Sequence, residues 1–266
     1  MGSNLIENLD DPRLDAYRDI RSRNWTSVSQ RFIAEGPLLT ARLLASDYKT
    51  ESVLLDLKFA EQYLPTIPES VEVLLLDHTL IEQILGFDFH RGVIACGVRP
   101  QKLELRTDAG TPTSARETLV AAIGVQDPEN LGSILRCCAG FGIRRVIIGP
   151  GTADPLARRA LRVSMGTALR LRLLHCKNIV EDLVWLREAF GITSYATSLR
   201  GDALPLEKTR RSGPALILVG NERYGLPEEV QRAADQCVRI DMELGTDSLN
   251  VSMASGIVMH YFCRIA

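Results

Sequence analysis

Three short segments of the chain combine glycine with amide, carboxylate, hydroxyl and guanidinium side chains. They are DPENLGSILR at 127–136, GNERYG at 220–225 and IDMELGTDSLNVSMA at 240–254, and their polar candidates are Asn130, Arg136, Glu222, Ser248 and Asn250. Glycine lets a ligand approach the backbone, whose N–H and C=O groups can bind the edge of a base such as adenine. Arginine suits the bidentate binding of phosphate. The residue types therefore indicate contacts with a nucleoside and with an anion.

Each segment also has an ordinary structural explanation. Asn130 and Ser248 can be the N-caps of the helices that follow them, and Arg136 can be a solvated surface arginine. The Gly220–Gly225 segment can be a plain strand-to-helix loop. Asn250, in the first turn of a predicted helix, is harder to explain by structure alone. The three segments together are therefore more informative than any one of them.

The elements that would position these segments alternate between strands and helices. Apolar runs that indicate strands cover 119–125, 146–148, 171–174, 192–196, 215–219 and 238–240, and helical patterns cover 131–141, 157–163, 180–190, 227–234 and 248–264. This alternation predicts an α/β fold with a mainly parallel sheet and helices on both faces. Each of the three segments then follows a strand, at the carboxyl edge where open α/β sheets bind ligands.

The first part of the chain predicts a smaller α/β unit. A helix is expected over 32–45, strands over 52–57, 71–76 and 92–98, and a second helix over 78–85. The polar stretch 101–116, which holds Gly110 and Pro112, indicates a linker. We therefore expect a first domain over 1–100, with an amino-terminal extension, and a second over 117–266.

Composition excludes several classes of protein. With 45% hydrophobic residues among 266, the chain is too apolar to be disordered throughout. None of its six cysteines forms a CxxC pair and no histidine stands at zinc-ligand spacing from them, so free thiols and no metal site are expected. The amino-terminal residues lack the apolar core of a signal peptide, and no run of 18 apolar residues occurs. A cytoplasmic protein without membrane association is expected.

Together, the three segments resemble the motifs of the SpoU/TrmH family of RNA 2'-O-ribose methyltransferases, within the SPOUT superfamily. The family patterns are D-P-x-N-x-G-x-x-x-R, then G-x-E-x-x-G-L, then I-P-M…S-L-N-V-x-x-A, and they occur here in that order over about 117–266. The chain departs from them at Cys138, Arg223 and Asp241, where Thr, Gly and Pro are usual. Phe32–Gly36 and His90–Ala95 also resemble signatures of the family's substrate-binding domain, which has an L30e-like fold.

The resemblance implies a fold, a cofactor and a set of site residues. The catalytic domain would carry a trefoil knot near its carboxyl end and form a homodimer. The cofactor would be S-adenosyl-L-methionine. The implied catalytic residues are Asn130, Arg136, Glu222, Ser248 and Asn250, and the implied cofactor contacts are Val219, Gly220, Ile240, Met242 and Leu249. The expected reaction is methylation of a ribose 2'-hydroxyl in RNA, with ribosomal RNA favoured because of the extra front domain.

Other functions remain open at this point. A tRNA 2'-O-methyltransferase would have the same chemistry, and a catalytically silent RNA-binding or ribosome-assembly protein would have the same fold. A Rossmann-type dinucleotide enzyme is disfavoured, because no G-x-G-x-x-G follows a strand.

The distribution of charge favours an RNA partner, although the net charge is only −2. Eight arginines and one acidic residue lie between Arg136 and Arg172, which gives this window a net charge of +7. Within it, the residues at 158, 159 and 162 are expected either to contact RNA or to form a solvated helix face. Two further sets are expected near RNA or in ordinary surface roles: Arg21, Arg23, Trp25 and Arg31, and the loop residue His90.

Overall fold

The computed structural model describes residues 3–18, 20 and 30–266, and these residues form two compact units. Unit 1 contains the described residues up to Gln101 and also Asp154–Leu169, whereas unit 2 contains Lys102–Ala153 and Arg170–Ala266. Within the described ranges, no helix has the length and apolar character needed to cross a membrane. The mixed α/β architecture with a large parallel sheet, predicted from the sequence, is confirmed.

The strands and helices are numbered along the chain. The strands are β1 (Ser3–Leu5), β2 (Arg31–Glu35), β3 (Thr50–Asp56), β4 (Glu72–Leu76), β5 (Val93–Val98), β6 (Leu103–Glu104), β7 (Thr118–Ala122), β8 (Arg145–Ile148), β9 (Arg172–His175), β10 (Thr193–Thr197), β11 (Leu204–Pro205), β12 (Ala215–Val219) and β13 (Gln236–Arg239). The α-helices are α1 (Pro37–Leu44), α2 (Ala60–Tyr63), α3 (His78–Leu85), α4 (Leu105–Asp108), α5 (Pro128–Phe141), α6 (Arg158–Val163), α7 (Ile179–Phe190), α8 (Glu228–Ala233) and α9 (Val251–His260).

Unit 1 is built on a five-stranded mixed sheet in the order β1-β4-β3-β5-β2. Strands β1, β4 and β3 run parallel, whereas β5 is antiparallel to both of its neighbours. Leu54, Leu74, Ile81 and Ile94 belong to the buried core on this sheet. Helix α6, although distant in sequence, packs against β2 and belongs to this unit.

The helix expected over 32–45 is wrong over its first five residues, because α1 begins at Pro37 and Arg31–Glu35 is strand β2. All of its residues but the first are buried, so the strand lacks the polar–apolar alternation that would have revealed it. Phe32 lies opposite Gly97 on β5, where an added Cβ would lie 2.3 Å from the Phe32 ring. Gly36, with φ of +92°, ends the strand and lets the helix begin at Pro37.

Unit 2 contains an eight-stranded sheet in the order β11-β13-β10-β12-β7-β8-β9-β6, and every pair is parallel. Strand β7 is buried along its whole length, as its continuous apolar sequence predicted. Ala122, Val219 and Ile148 are register partners at the carboxyl ends of three neighbouring strands. The loops that follow these strands therefore leave the sheet side by side.

Two segments differ from expectation. The stretch 101–116, expected to be a linker, contains β6 and α4, and the buried Leu105 and Ala109 join the core of unit 2. The final helix was expected from 248, but α9 begins at Val251 and is followed by a π-helical turn over Tyr261–Ile265. The knot and the L30e-like character of the front part remain predictions.

Candidate active site at the carboxyl edge of the parallel sheet

Three loops meet where β7, β8 and β12 end. The N–H of Gly124 donates to Pro150 O and to Thr152 Oγ1, both at 3.0 Å. The N–H of Ala153 donates to Val125 O at 2.8 Å. These bonds fasten the loop after β8 to the loop after β7. The site is thus supported by backbone contacts between adjacent strand ends, as expected for a parallel sheet.

The loop after β12 folds back on itself. Asn221 and Gly225 exchange two backbone hydrogen bonds, of 3.0 and 2.9 Å. The Asn221 side chain accepts from the N–H groups of Arg223 and Tyr224 and donates to Gly124 O at 2.8 Å. A Cβ added to Gly220 would lie 2.3 Å from the carbonyl carbon of Gly225, so only glycine fits there.

Glu222 links this loop to the start of α5. Its carboxylate accepts hydrogen bonds from the N–H groups of Gln126 at 3.1 Å and Asp127 at 3.0 Å, and from Asn130 Nδ2 at 3.2 Å. Burial by itself raises the pKa of Glu222, but its own N–H and these three donors lower it by more. The pKa therefore lies below its ordinary value, and the side chain is an anion held by backbone donors.

Asn130 and Asn250 connect the other two segments. Asn250 Nδ2 donates to Asn130 Oδ1 at 3.0 Å, while Asn250 Oδ1 accepts from Ser252 N at 2.8 Å. Because Ser252 N can only donate, it fixes which end of the Asn250 amide faces Asn130. The orientation of the Asn130 amide is fixed in the same way, because its oxygen accepts from Asn250 and its nitrogen donates to Glu222. A chain of hydrogen bonds therefore joins all three sequence segments.

The helix caps differ from expectation. Asp127 caps α5 by accepting from Glu129 N, so Asn130 lies inside the first turn and is not the cap. Asn250 is the cap of α9, and Ser248 lies two residues before it in an exposed loop. Capping by Asn250 satisfies a backbone donor and orients its amide at the same time.

Arg136 and Ser248 are exposed and stand apart from this hydrogen-bonded chain. Neither side chain forms a hydrogen bond or ion pair with any residue in the described ranges. Arg136 lies six residues after Asn130 on α5, which corresponds to roughly 9 Å along the helix axis. The structure thus brings Asn130, Glu222 and Asn250 together and leaves these two side chains free to contact a ligand.

Of the residues implied as cofactor contacts, Val219 and Gly220 lie at the end of β12 and Ile240 directly follows β13, whereas Met242 and Leu249 lie in the loop between β13 and α9. These two strands flank β10, so their ends are about 10 Å apart, two strand spacings. Gly220 is buried, yet no described residue hydrogen-bonds to its backbone or to that of Ile240 and Leu249. Buried backbone groups nearly always find a partner. The remaining implied contacts are Val219, which is buried, and Met242, which is half-buried. Unpaired N–H and C=O groups over this span suit the edge of an adenosine.

Two residues of the site were missed by sequence reasoning. Asn221 shapes the loop after β12 and ties it to Gly124, whereas Thr152 receives the Gly124 N–H and donates to Ala122 O at 2.8 Å. The signal for Thr152 was available, since Gly149-Pro-Gly-Thr152 directly follows a strand. Asn221 was visible beside Glu222 but was not assigned a role.

Some arginines of the basic stretch from Arg136 to Arg172 bind other residues of the chain, so fewer of them are available for RNA. Arg145 is buried, pairs with Glu117 at 2.5 Å and donates to two backbone carbonyls, so its role is structural. Arg158 pairs with Glu35 at 2.6 Å, and Arg172 donates to Asp108 O. The exposed arginines with no ion pair or hydrogen bond among the described residues are Arg136, Arg144, Arg159, Arg162 and Arg170.

The front residues expected near RNA have mixed outcomes. Arg31 pairs with Glu51 at 2.7 Å, and His90 is an exposed loop residue bonded to Asp88 at 2.7 Å. The remaining three, Arg21, Arg23 and Trp25, lie outside the described residues.

Fold and site define an α/β protein whose loops at the carboxyl edge of a parallel sheet are joined by a hydrogen-bonded chain of two amides and a carboxylate. Residues 117–260, just over half of the chain, match the SpoU rRNA Methylase family. The chain belongs to this family, and the family's cofactor is S-adenosylmethionine (AdoMet). The residues at the ends of β12 and β13 fit that cofactor, because they offer unpaired backbone donors and acceptors.

Individual proteins resemble the chain over most of its length. It is 35% identical to an uncharacterised tRNA/rRNA methyltransferase of Mycobacterium bovis, over 94% of this chain and 88% of the relative. It is 32% identical to the 23S rRNA (guanosine-2'-O-)-methyltransferase RlmB of Acinetobacter baylyi, over 74% and 80%. The AdoMet-bound rRNA methyltransferase of Sinorhizobium meliloti superposes with a TM-score of 0.82 at 27% identity, over 98% and 97%.

Proposed function

We propose that this protein transfers the methyl group of AdoMet to a ribose 2'-hydroxyl in ribosomal RNA. The observation that carries the proposal is the hydrogen-bonded chain from Glu222 through Asn130 to Asn250, beside the unpaired backbone of Gly220. These residues belong to three separate segments that the fold brings to one edge. The name of RlmB, a guanosine-2'-O-methyltransferase, supports the same chemistry.

The backbone at the two strand ends would hold the cofactor. Val219, Gly220, Ile240, Met242 and Leu249 are the residues we assign to this role. AdoMet supplies an electrophilic methyl group when bound. The fold of the loop requires glycine at position 220, because an added Cβ would clash with the backbone of Gly225. The buried backbone of Gly220 has no hydrogen-bond partner among the described residues and would pair with the cofactor. Backbone donors and acceptors in a rigid loop keep their geometry without loss of side-chain entropy.

Asn130 and Asn250 would orient the ribose. Each amide has one nitrogen proton left after the bonds described above, and each is held in a single orientation by its neighbours. Neutral amides held in one orientation can place the 2'-hydroxyl in line with the methyl group without adding a charge beside the nucleophilic oxygen. Such positioning accounts for much of the acceleration in reactions between two bound groups.

Glu222 acts by positioning rather than as a base. Both carboxylate oxygens already accept hydrogen bonds, and its pKa is lowered by these donors, so it is a weaker base than an ordinary glutamate. Its role is to hold the loop after β12 against the start of α5. We therefore move Glu222 from the implied catalytic set to the residues that support the site.

Arg136 would contact the RNA at the reacting nucleotide. Its guanidinium is exposed and has no hydrogen-bond or ion-pair partner among the described residues. It would bind the neighbouring phosphate in a bidentate manner and stabilise the negative charge that develops on the 2'-oxygen. Ser248, which is also exposed and has no hydrogen-bond partner among the residues that the structure describes, would add a hydroxyl contact beside Asn250. The segments 127–136, 220–225 and 240–250 contain no His or Cys that could serve as an ordinary base. The 2'-hydroxyl proton would therefore pass to water as the oxygen bonds to the methyl carbon and the bond from that carbon to the sulfur of AdoMet breaks.

Ribosomal RNA is the favoured substrate because the similarity to rRNA methyltransferases includes the front part of the chain. The AdoMet-bound rRNA methyltransferase of Sinorhizobium meliloti covers 98% of this chain, so it also covers the part that precedes the family match. We propose that residues 1–100 bind RNA and that residues 117–266 bind the cofactor. An RNA substrate is consistent with a cytoplasmic location.

The test is transfer of labelled methyl from AdoMet to RNA of a strain that lacks the protein. Ribosomal RNA and tRNA are separated by size before counting. Label in ribosomal RNA is expected, and nuclease digestion should place it on a 2'-O-methylated nucleotide. Label confined to tRNA would mean that the substrate is tRNA and not ribosomal RNA, with the same methyl-transfer reaction. AdoMet binding with no label in either naked RNA or ribosomal subunits would favour the silent RNA-binding alternative.

We also propose that the protein forms a homodimer through unit 2. Met253 and Ile257 lie four residues apart on α9, and their exposed fractions are 61% and 39%. Residues at this spacing share a helix face, and the opposite face packs on α5 through buried residues such as Met259. An apolar helix face of this kind is typical of an interface between subunits.

Light scattering after gel filtration tests the dimer. The wild type should have twice the mass of the chain, and Ile257→Asp should elute as a folded monomer. Val184→Asp on α7, another exposed apolar residue, is the matched control and should remain dimeric. A wild type that is monomeric at micromolar concentration would contradict the proposal.

A further inference from the structure

Five polar side chains form a connected cluster beside α3 in unit 1, away from the three motifs. His78 Nδ1 lies 2.8 Å from Asp56 Oδ2, and its Nε2 lies 3.4 Å from Glu82 Oε1. One ligand atom each from His78, Glu82 and Asp88 lies within 4.8 Å of the others. His90 Nε2 in turn contacts Asp88 Oδ2 at 2.7 Å. One imidazole and two carboxylates thus point to a common position.

Asp56 orients the imidazole of His78 through Nδ1, the ring nitrogen that does not face Glu82. Its side chain is 1% exposed, and its other oxygen accepts from Lys58 N at 2.9 Å. With Asp56 as an acceptor, Nδ1 of His78 carries the proton and the lone pair of Nε2 faces Glu82 and Asp88. A buried carboxylate that binds the far nitrogen of a histidine is the usual support of a metal-binding imidazole.

We propose that His78, Glu82 and Asp88 bind a divalent cation of the zinc type, with Asp56 orienting His78 and His90 orienting Asp88. Nitrogen and carboxylate donors without sulfur suit Zn²⁺, and imidazole disfavours Mg²⁺ and Ca²⁺. Three protein ligands leave a fourth tetrahedral position for water. All three ligand side chains are partly exposed, so they can close the small remaining distance around an ion.

The cation would fasten a loop to a helix. His78 and Glu82 lie one turn apart on α3, whereas Asp88 lies in the loop that leads to β5. Glu82 already accepts from Phe89 N in this loop at 3.4 Å. The same loop carries His90, which opens one of the two front signatures. A bound cation would therefore fix the position of that signature relative to α3.

The experiment uses the full chain after chelation and removal of the chelator. Zn²⁺ is titrated by calorimetry, and Co²⁺ is titrated by visible absorption to identify the donor atoms. One site is expected, with the cobalt spectrum of nitrogen and oxygen ligands. Glu82→Gln should weaken binding at least tenfold. Glu61→Gln, which removes an exposed carboxylate of the same unit, should bind as the wild type does.

A second variant separates a metal site from a simple ion-pair cluster. Asp56→Asn keeps all three ligands but removes the orienting carboxylate, and it should lower affinity by about 10- to 100-fold. If this buried variant does not fold, Glu82→Gln decides the question. Equal binding by the wild type and Glu82→Gln, no binding at all, or a thiolate-to-cobalt absorption band would each overturn the proposal.

Discussion

The candidate active site of unit 2 and the proposed cation site of unit 1 are both hydrogen-bonded networks at strand ends, but they are built differently. In unit 2, neutral amides are oriented by Glu222 and by the N–H that α9 presents at its cap. In unit 1, one imidazole is oriented by the buried carboxylate of Asp56. The first network suits the hydroxyl groups of a ribose, whereas the second suits a cation.

The difference shows why one site could be predicted and the other could not. In a parallel sheet all carboxyl ends lie at one edge, so segments that follow strands must be neighbours there. In the mixed sheet of unit 1, β5 is antiparallel to β3, and the loop before β5 reaches the carboxyl end of β3 from the opposite direction. The proposed ligands at 78, 82 and 88 and the orienting carboxylate at 56 therefore form no compact sequence motif.

The largest expected effect concerns the stability of unit 1. Glu35, the glutamate of the F-x-x-E-G signature, is buried and pairs with Arg158 of α6, which also lies over the Phe87 ring. Glu35→Ala should lower the free energy of unfolding by about 3 kcal/mol, because it leaves a partly buried guanidinium without its partner. Urea denaturation measures the change.

Glu61→Ala is the control for this variant, since Glu61 is exposed and should be nearly neutral. If Glu35→Ala is as stable as the control, the pair is not structural, and the signature glutamate is free for RNA binding instead. In that case Arg158 returns to the set of arginines expected to contact RNA.

The next effect concerns catalysis in unit 2. Arg136→Ala should lower kcat for methyl transfer by roughly 10²- to 10³-fold, the usual loss when a group that stabilises developing negative charge is removed. AdoMet affinity, measured by calorimetry, should change less than twofold. Arg144→Ala should keep most of the activity, because it removes another exposed arginine of the same unit whose side chain has no partner in the described part of the chain. Loss of AdoMet binding would instead place Arg136 in the cofactor site.

A smaller effect tests whether the amides act together. Asn130→Ala, Asn250→Ala and the double variant form a mutant cycle on the free energy of AdoMet binding. A coupling energy of about 0.5–3 kcal/mol is expected, because the two amides share a hydrogen bond of 3.0 Å. The pair Asn130→Ala and Ser133→Ala gives the matched cycle, since Ser133 lies on α5 without a bond to Asn250. Additive effects for Asn130 and Asn250 would mean that the chain of hydrogen bonds does not couple the motifs.

Much of the framework of unit 2 was predictable, because buried parallel strands are continuous apolar runs and their helices are periodic. The sequence was less informative where tertiary contacts determine the local structure or the partner of a side chain. The residues from Phe32 to Glu35 were expected to be helical, since a strand that is buried on both faces shows no polar–apolar alternation. The pairing of Arg158 was not predicted, because its partner is 123 residues away. Similarly, Ser248 was a reasonable cap until the helix proved to begin at Val251.

The smallest effect is a dependence of stability on pH that comes from Glu222. Its pKa in the folded protein is lowered, so the unfolded chain binds this proton first as the pH falls. The stabilisation by Glu222 is therefore complete above its ordinary pKa of about 4.3 and is lost as the pH falls through the lower folded value. The stability gap between the wild type and Glu222→Gln should narrow below about pH 4.3 and stay constant above it. A gap that is constant down to pH 2 would show that the backbone donors do not hold the carboxylate. The comparison with Glu228→Gln, an exposed glutamate on α8, isolates this effect from the general loss of stability in acid.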